Sequence, residues 1–223
     1  MWKIPKIWEG GECWIIGGGP SMPRQFGVPE DIIQDVIAGR QMPSVYSPFL
    51  SSIHGKHIIA VNAAYLLGDW IDVIFFGDRG FFLHNQKGLL EYPNIKTTCC
   101  SHVKNQPGVK YIPKDKNYVR GISTTRNQIS WNNNSGAAAI NLAYHFGVKR
   151  IVLLGFDMHV IEGTQHWHGE YKKVGAKKLP FSKHLRSFPF IARDAKKLGV
   201  EILNISPDST IQDFKKVKIE DVL

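Results

Sequence analysis

Cysteine is scarce in this chain of 223 residues, which contains Cys13, Cys99 and Cys100. Three cysteines do not make the disulfide framework of a small secreted domain, and Cys13 stands in an apolar run where a buried small hydrophobe is expected. The chain also lacks an apolar stretch long enough for a membrane helix, and no apolar segment of a signal peptide follows Met1. These absences predict a protein of the reducing cytoplasm without a transmembrane segment.

The composition provides one sizeable core and an excess of positive charge. Hydrophobic residues make up 43% of the chain, enough for one core with a small lid but not for two large domains, so residues 1–223 are expected to form a single domain. The net charge of +9 suits an anionic partner, although solvated lysines on helix faces explain it equally well. Nucleic-acid binding is a minor interpretation because no module signature is present. A homo-oligomer is left open.

Short apolar runs, each followed by turn residues and a helical pattern, recur along the chain as in α/β proteins. Their lack of alternation is typical of parallel strands covered on both faces. The predicted strands are 13–16, 57–61, 73–76, 150–154 and 201–205, and the predicted helices are 29–40, 136–146 and 187–198. The pattern predicts a doubly wound, mostly parallel, Rossmann-like sheet. A polar stretch at about 158–185 is too long for an ordinary connection and is predicted to be a lid.

Residues 17–21, Gly-Gly-Gly-Pro-Ser, directly follow the first predicted strand. Successive glycines can adopt positive φ angles and present N–H groups to a phosphate. The motif is not Walker A, and it does not have the dinucleotide spacing G-x-G-x-x-G, because Met22 stands where the third glycine would be. A phosphate-binding turn is predicted, and a tight turn without a ligand is the alternative.

Further polar residues follow predicted strands or begin a predicted helix, where open α/β sheets bind ligands. Asn62 can hydrogen-bond a base or ribose, and Asp78 can bind a sugar or a metal. Asn134 and Ser135 begin a helix whose N-terminus suits an anion, and the spacing places Asp157 at the same sheet edge. Ordinary turns, caps and an Asp–Arg pair remain the alternatives.

The predicted lid is rich in histidine. His166 and His168 lie on one side of an extended segment and can share a metal, but no third ligand stands at a convincing spacing, so no metal site is predicted. A single histidine acting as general base fits better, because its ordinary pKa suits proton transfer near neutrality.

The motifs Gly-Gly-Gly-Pro-Ser, Val-Asn-Ala, Asn-Ser-Gly and Gly-Phe-Asp, in this order, resemble those of the bacterial lipooligosaccharide sialyltransferases over roughly residues 12–215. They also resemble the related archaeal 6-hydroxymethylpterin diphosphokinase-like proteins. The first resemblance implies a Rossmann-like domain with a lid, a CMP-sialic acid donor, no required metal and a histidine that deprotonates the acceptor hydroxyl. The base would be His184, with His168 as its rival. The residues that would contact the donor are Gly18, Gly19, Pro20, Ser21, Asn62, Asn134, Ser135, Gly136, Phe156 and Asp157.

The chain departs from this family in two places. Its lid offers only Tyr171 where the sialyltransferases use tyrosines on the phosphate, and Asp78 replaces the expected asparagine, so sialic acid is not assumed as the donor sugar. Our hypothesis is a transferase that uses a nucleotide-activated donor, most simply a nucleotide sugar, and a glycan or small-molecule acceptor, with lid lysines neutralising the leaving phosphate. One alternative is a diphosphokinase that uses ATP and Mg²⁺, with Asp78 and Asp157 as metal ligands and a pterin-like alcohol as substrate. Another is a non-catalytic nucleotide-binding module.

Overall fold

The computed structural model describes residues 2–173 and 180–223, and its strands form one parallel sheet. The strands are β1 (Glu12–Ile16), β2 (Ile58–Val61), β3 (Val73–Phe76), β4 (Ile95–Thr98), β5 (Val109–Tyr111), β6 (Arg150–Leu154), β7 (Glu201–Asn204) and β8 (Lys215–Lys216). Their order across the sheet is β5-β4-β3-β2-β1-β6-β7-β8, and every neighbouring pair is parallel. The prediction of a Rossmann-like parallel sheet is confirmed.

Helices cover both faces of this sheet. The α-helices are α1 (Ser21–Gln25), α2 (Glu30–Ala38), α3 (Arg79–Glu91), α4 (Ser135–His145), α5 (Glu170–Lys173), α6 (Phe181–Leu185) and α7 (Phe188–Leu198). Shorter 3₁₀ segments are Pro43–Ile53, Asn62–Leu67, Ser101–Val103 and Ile219–Asp221. All five predicted strands and all three predicted helices are present, with ends that differ by at most two residues.

Side chains of β1 alternate between two apolar cores. Trp14 and Ile16 face the core that contains residues of α2 and α3, whereas Cys13 and Ile15 face the core that contains residues of α4 and α7. The alternation follows from the period of two in a strand, and burial on both faces explains why β1 carries no polar position in its interior. No helix in the described ranges is long and apolar enough to cross a membrane.

The chain order of the strands determines where a ligand can bind. The chain runs from β1 outward to β5 and then returns to place β6 on the other side of β1. Connections after β1 and β6 therefore leave the sheet in opposite directions, and a crevice forms between them at the carboxyl ends of the strands. The glycine turn at 17–19 and the residues after β6 lie at this switch point.

Part of the predicted lid packs into the body of the protein. Trp167 is fully buried, its indole Nε1 donates to Gly17 O at 2.8 Å, and its backbone N donates to Gly18 O at 3.1 Å. The Tyr46 hydroxyl donates to Trp167 O at 3.2 Å. Residues 174–179 of the predicted lid lie outside the described residues, and the extent of the lid stays a prediction.

Candidate functional site

A cavity of about 500 Å³ lies at the carboxyl ends of β1 and β6. Loops after β1, β2, β3 and β6, the start of α4, and residues 163–171 form its wall, together with Phe181 and His184 from α6. The cavity brings together most of the residues that the sequence predicted. Those that line it are Gly18, Gly19, Asn62, Asp78, Asn134, Ser135, Gly136, Phe156, His168 and His184. Pro20, Ser21 and Asp157 are not among the lining residues that the structure describes.

Close packing, and not unusual backbone angles, requires the three glycines of the turn. Their φ angles are not positive, so the expectation of a left-handed turn is wrong. A Cβ on Gly17 would lie 2.7 Å from Gly155 O, and one on Gly18 would lie 2.7 Å from His166 Nδ1. A Cβ on Gly19 would lie 2.5 Å from a carboxylate oxygen of Asp157. Glycine is therefore needed because the loop after β6 and the His166 ring press against this turn.

The N–H groups of the turn are largely used inside the protein. Gly17 N donates to Leu154 O and Gly19 N donates to Gly155 O, both at 2.8 Å. Ser21 donates to Asp157 twice, from its backbone N to Oδ2 at 2.8 Å and from its hydroxyl to Oδ1 at 2.6 Å. These hydrogen bonds attach the turn to the end of β6 and the loop after it, and phosphate binding by the turn stays a prediction.

The same contacts change the roles expected of Ser21 and Asp157. Asp157 is 1% exposed, and both its carboxylate oxygens accept from Ser21. This buried pair connects two loops at the switch point and does not face the cavity. The diphosphokinase alternative needs Asp157 beside Asp78 as a second metal ligand, and the structure gives only Asp78 a place in the cavity wall.

Buried polar atoms without a partner mark the cavity wall. Four buried side-chain N or O atoms in the described ranges make no hydrogen bond, and three of them, Asn62 Oδ1, Asn134 Nδ2 and His166 Nδ1, belong to cavity-lining residues. Buried polar atoms in native proteins nearly always have a partner. One acceptor, on Asn62, and one donor, on Asn134, are therefore available to a bound ligand, whereas His166 Nδ1 lies against the backbone of Gly18.

The three asparagines at 132–134 have separate functions. Asn132 is fully buried and holds the loop at Gly121, accepting from Gly121 N at 2.8 Å and donating to Gly121 O at 3.0 Å. Asn133 lines the cavity with a φ angle of 51°. Asn134 Oδ1 accepts from Ala137 N at 3.1 Å as the N-cap of α4, which leaves its Nδ2 for a ligand. Only the capping function was evident from the sequence.

Left-handed backbone conformations concentrate around the cavity. Asn62, Asn133 and Met158 have φ angles of 53°, 51° and 58°. Asparagine tolerates this region, whereas a methionine there is strained. Such conformations persist where the surrounding structure enforces them, and they cluster at binding and catalytic sites. Hydrogen bonds from Thr210 to Asp157 O (2.9 Å) and Met158 O (3.0 Å) hold the strained segment in place.

The lid histidines form an aromatic cluster with Tyr171. The His166 and His168 rings stack with centroids 5.1 Å apart, and the Tyr171 ring lies 4.7 Å from His166 and 5.1 Å from His168. Burial lowers the pKa of His166 to about 4, so this imidazole is neutral near neutral pH. His168 is 4% exposed, and its Nδ1 accepts from Glu170 N at 3.3 Å.

His184 and Tyr171 line the cavity in complementary protonation states. Burial lowers the pKa of His184, an effect that the negative charge of Asp78 opposes, so the imidazole is neutral near neutral pH and can accept a proton. Burial raises the pKa of Tyr171, an effect that a hydrogen bond with Asn62 opposes, so the phenol keeps its proton and can donate. The cavity therefore offers one group that takes a proton and one that gives a hydrogen bond.

The function expected of the lid lysines stays a prediction. Lys177 and Lys178 lie outside the described residues, and Lys183 is exposed away from the cavity wall. Trp131, which sequence reasoning missed, lines the cavity beneath Lys114, whose Nζ lies 4.2 Å from the ring centroid. Its only signal in the sequence was its position directly before the asparagine run.

Comparisons with known proteins support the fold. No protein-family model matches this chain, and no curated protein sequence matches it. The sialyltransferase CstII from Campylobacter jejuni, in complex with cytidine-5'-monophosphate, matches at a TM-score of 0.52 and 12% identity over 92% of this chain and 84% of its own. CST-II in complex with trisaccharide acceptor and CMP matches at 0.51 and 14% identity, over 92% and 85% of the two chains.

A third match is the monofunctional α-2,3-sialyltransferase Cst-I from Campylobacter jejuni. It has a TM-score of 0.51 and 17% identity, over 92% of this chain and 78% of its own. At these identities the likeness shows the fold alone. This chain therefore has the same doubly wound architecture as these sialyltransferases.

Proposed function

We propose that this protein is a glycosyltransferase that transfers a sugar from a nucleotide-activated donor to a hydroxyl acceptor. The observation that carries the proposal is a cavity at the switch point of the sheet whose lining residues Asn62 and Asn134 each have a buried amide atom without a hydrogen-bond partner. A cavity of about 500 Å³ lies within the range of small-ligand sites. The shared fold with CMP-bound sialyltransferases supports a nucleotide as its occupant.

The polar atoms of the cavity suit the parts of a nucleotide sugar. Asn62 Oδ1 accepts, and fits a base amino group or a ribose hydroxyl. Asn134 Nδ2 and the Ser135 hydroxyl lie at the N-terminus of α4, where a phosphate is favoured by the orientation of the peptide dipoles. The nucleotide phosphate is therefore assigned to α4, and not to the glycine turn that the sequence suggested.

His184 is assigned as the general base. As the acceptor oxygen forms its bond to the anomeric carbon, the hydroxyl proton passes to the neutral imidazole. The bond between the anomeric carbon and the phosphate oxygen breaks, and its electron pair leaves with the nucleotide phosphate. Hydrogen bonds from Asn134, Ser135 and the protonated Tyr171 stabilise the negative charge that develops there.

The test compares turnover and binding in matched variants. Release of nucleotide from CMP-, UDP- and GDP-sugars is measured in EDTA for wild type, His184→Ala, His168→Ala and the control His102→Ala, which removes an exposed imidazole. We expect His184→Ala to lower turnover by a factor of about 10²–10⁴ while the nucleotide Kd changes by less than about threefold. Wild-type turnover in His184→Ala would remove this residue from the mechanism. No release from any of these sugars, together with conversion of ATP to AMP that needs Mg²⁺ and stops in EDTA, would favour the diphosphokinase.

A further inference from the structure

Asp78 has an unusual place in the cavity wall. Of the 24 described residues that line the cavity, it alone is an aspartate, glutamate, lysine or arginine. It stands directly after β3, and the preceding residue, Gly77, packs against Ser135 Oγ, which a Cβ on Gly77 would approach to 3.2 Å. Gly77 therefore places the turn after β3 beside the start of α4, and Asp78 follows it in the cavity wall.

The protein makes no use of this carboxylate for its own structure. Asp78 is the N-cap residue of α3, yet its side chain makes no capping hydrogen bond. The side chain is exposed to the cavity, and its carboxylate forms no ion pair or hydrogen bond with any part of the chain that the structure describes, whereas the backbone O of Asp78 accepts from Phe82 N at 3.2 Å. An aspartate that neither caps nor pairs is free to accept hydrogen bonds from a ligand.

No cationic side chain belongs to the described wall beside Asp78, although Lys114 lies over the wall residue Trp131. His184 and Tyr171 both lie within the reach of its negative charge, which opposes the lowered pKa of His184 and adds to the raised pKa of Tyr171. Both groups are uncharged near neutral pH. Ser135 supplies a hydroxyl, and no lysine or arginine belongs to the described wall. A second carboxylate brought into this space would meet the negative charge of Asp78 with no cation of the described wall between them.

We propose that Asp78 makes the site selective for a donor whose transferred sugar is uncharged and rich in hydroxyls. Its carboxylate accepts hydrogen bonds from the sugar hydroxyls and repels a sugar that carries a carboxylate of its own. This proposal rests on the proposed function, and it specifies the substrate class of the same site. The donor would therefore differ from an acidic sugar nucleotide even though the fold is shared with sialyltransferases.

The experiment measures how a carboxylate on the sugar changes binding affinity, using pairs of ligands that differ in this group. Affinities are determined by calorimetry for UDP-glucose against UDP-glucuronate, and for the C1 methyl ester of CMP-sialic acid against CMP-sialic acid. Wild type is compared with Asp78→Asn, which keeps the size of the side chain and removes its charge. The control Asp31→Asn makes the same charge change at an exposed position of α2.

We expect wild type and Asp31→Asn to bind the uncharged member of a pair about tenfold or more tightly, and Asp78→Asn to reduce this ratio to about twofold. Wild type that binds the acidic member as well as or better than the uncharged one overturns the proposal, as does an unchanged ratio in Asp78→Asn. A protein that binds neither pair, nor any nucleotide, refutes the proposed function itself. The two failures are therefore distinguishable.

Discussion

Replacement of Ser21 by alanine tests whether this residue holds the glycine turn or contacts the donor. The Ser21 hydroxyl donates to Asp157 Oδ1 at 2.6 Å, and the two residues are 8% and 1% exposed. A hydrogen bond to a charged group contributes about 1.5–3 kcal/mol to stability, and loss of the hydroxyl leaves a buried carboxylate oxygen without this donor. We therefore expect Ser21→Ala to lower the free energy of unfolding by about 2 kcal/mol, which lowers Tm by about 4–8 °C in a chain of this size.

The assay is urea unfolding of Ser21→Ala, Asp157→Asn and the double variant. Because the two side chains contact each other, the double-mutant cycle is expected to give a coupling energy of about 1–3 kcal/mol. Ser52→Ala, at an exposed position of a 3₁₀ segment, is the matched control and is expected to change stability by less than about 0.5 kcal/mol. The nucleotide Kd of Ser21→Ala, measured where the protein is folded, is expected to change by less than about threefold.

A different pattern would refute this account of the turn. If Ser21→Ala left stability unchanged and weakened nucleotide binding by an order of magnitude or more, Ser21 would be a ligand contact as the sequence suggested. Additive effects in the cycle would show that the pair does not connect the two loops.

Three further predictions concern the cavity. Asn134→Ser keeps an N-cap oxygen for α4 but removes the unpartnered Nδ2. Calorimetry should therefore show nucleotide binding that is about tenfold weaker, while the free energy of unfolding is nearly unchanged. Unchanged binding would contradict the assignment of Asn134 as a nucleotide contact. Burial lowers the pKa of His184, and the negative charge of Asp78 opposes this effect. The acid limb of the pH profile of kcat/KM should therefore lie below pH 6.5 in wild type and move to lower pH in Asp78→Asn. An acid limb at the same pH in both proteins would exclude His184 as the base. Burial also lowers the pKa of His166 to about 4. Between pH 6.5 and 4 the unfolded chain therefore binds a proton on this imidazole that the folded protein does not bind, and the free energy of unfolding is expected to fall by up to about 3 kcal/mol over this range. Urea titrations of His166→Gln should lack this slope, and an unchanged slope would refute it.

The sequence predicted those elements that follow simple rules. Apolar runs without alternation located β1, β2, β3, β6 and β7, and a small-residue helix with an asparagine cap located α4. It missed β4, whose Ile-Lys-Thr-Thr sequence is polar. In the folded chain Thr97 and Thr98 donate from their hydroxyls to Ile74 O and Phe76 O of β3 at 2.7 and 2.8 Å, so their burial depends on a neighbour that periodicity does not show.

The position of the cavity was predictable from the sequence, but the contacts of several residues around it were not. Residues after parallel strands must meet at one sheet edge, and this placed Asn62, Asp78 and Asn134 correctly around one cavity. The sequence could not show that the Asp157 carboxylate would accept hydrogen bonds from Ser21, because these bonds join residues 136 positions apart. Nor could it show that the glycines at 17–19 are needed because neighbouring atoms leave no room for a Cβ. A glycine required by close packing and one required by a positive φ angle look the same in a sequence.

The most direct test of the central claim is whether this cavity binds a nucleotide. Thermal unfolding of wild type and of Asn134→Ser is measured in the presence of CMP, CDP, UDP, GDP and ATP at millimolar concentration. We predict that at least one of these nucleotides raises the Tm of wild type by several degrees through mass action, and that Asn134→Ser loses most of this increase. Five nucleotides without effect on wild type, or an equal increase in both proteins, would contradict the assignment of the cavity between β1 and β6 as a nucleotide site.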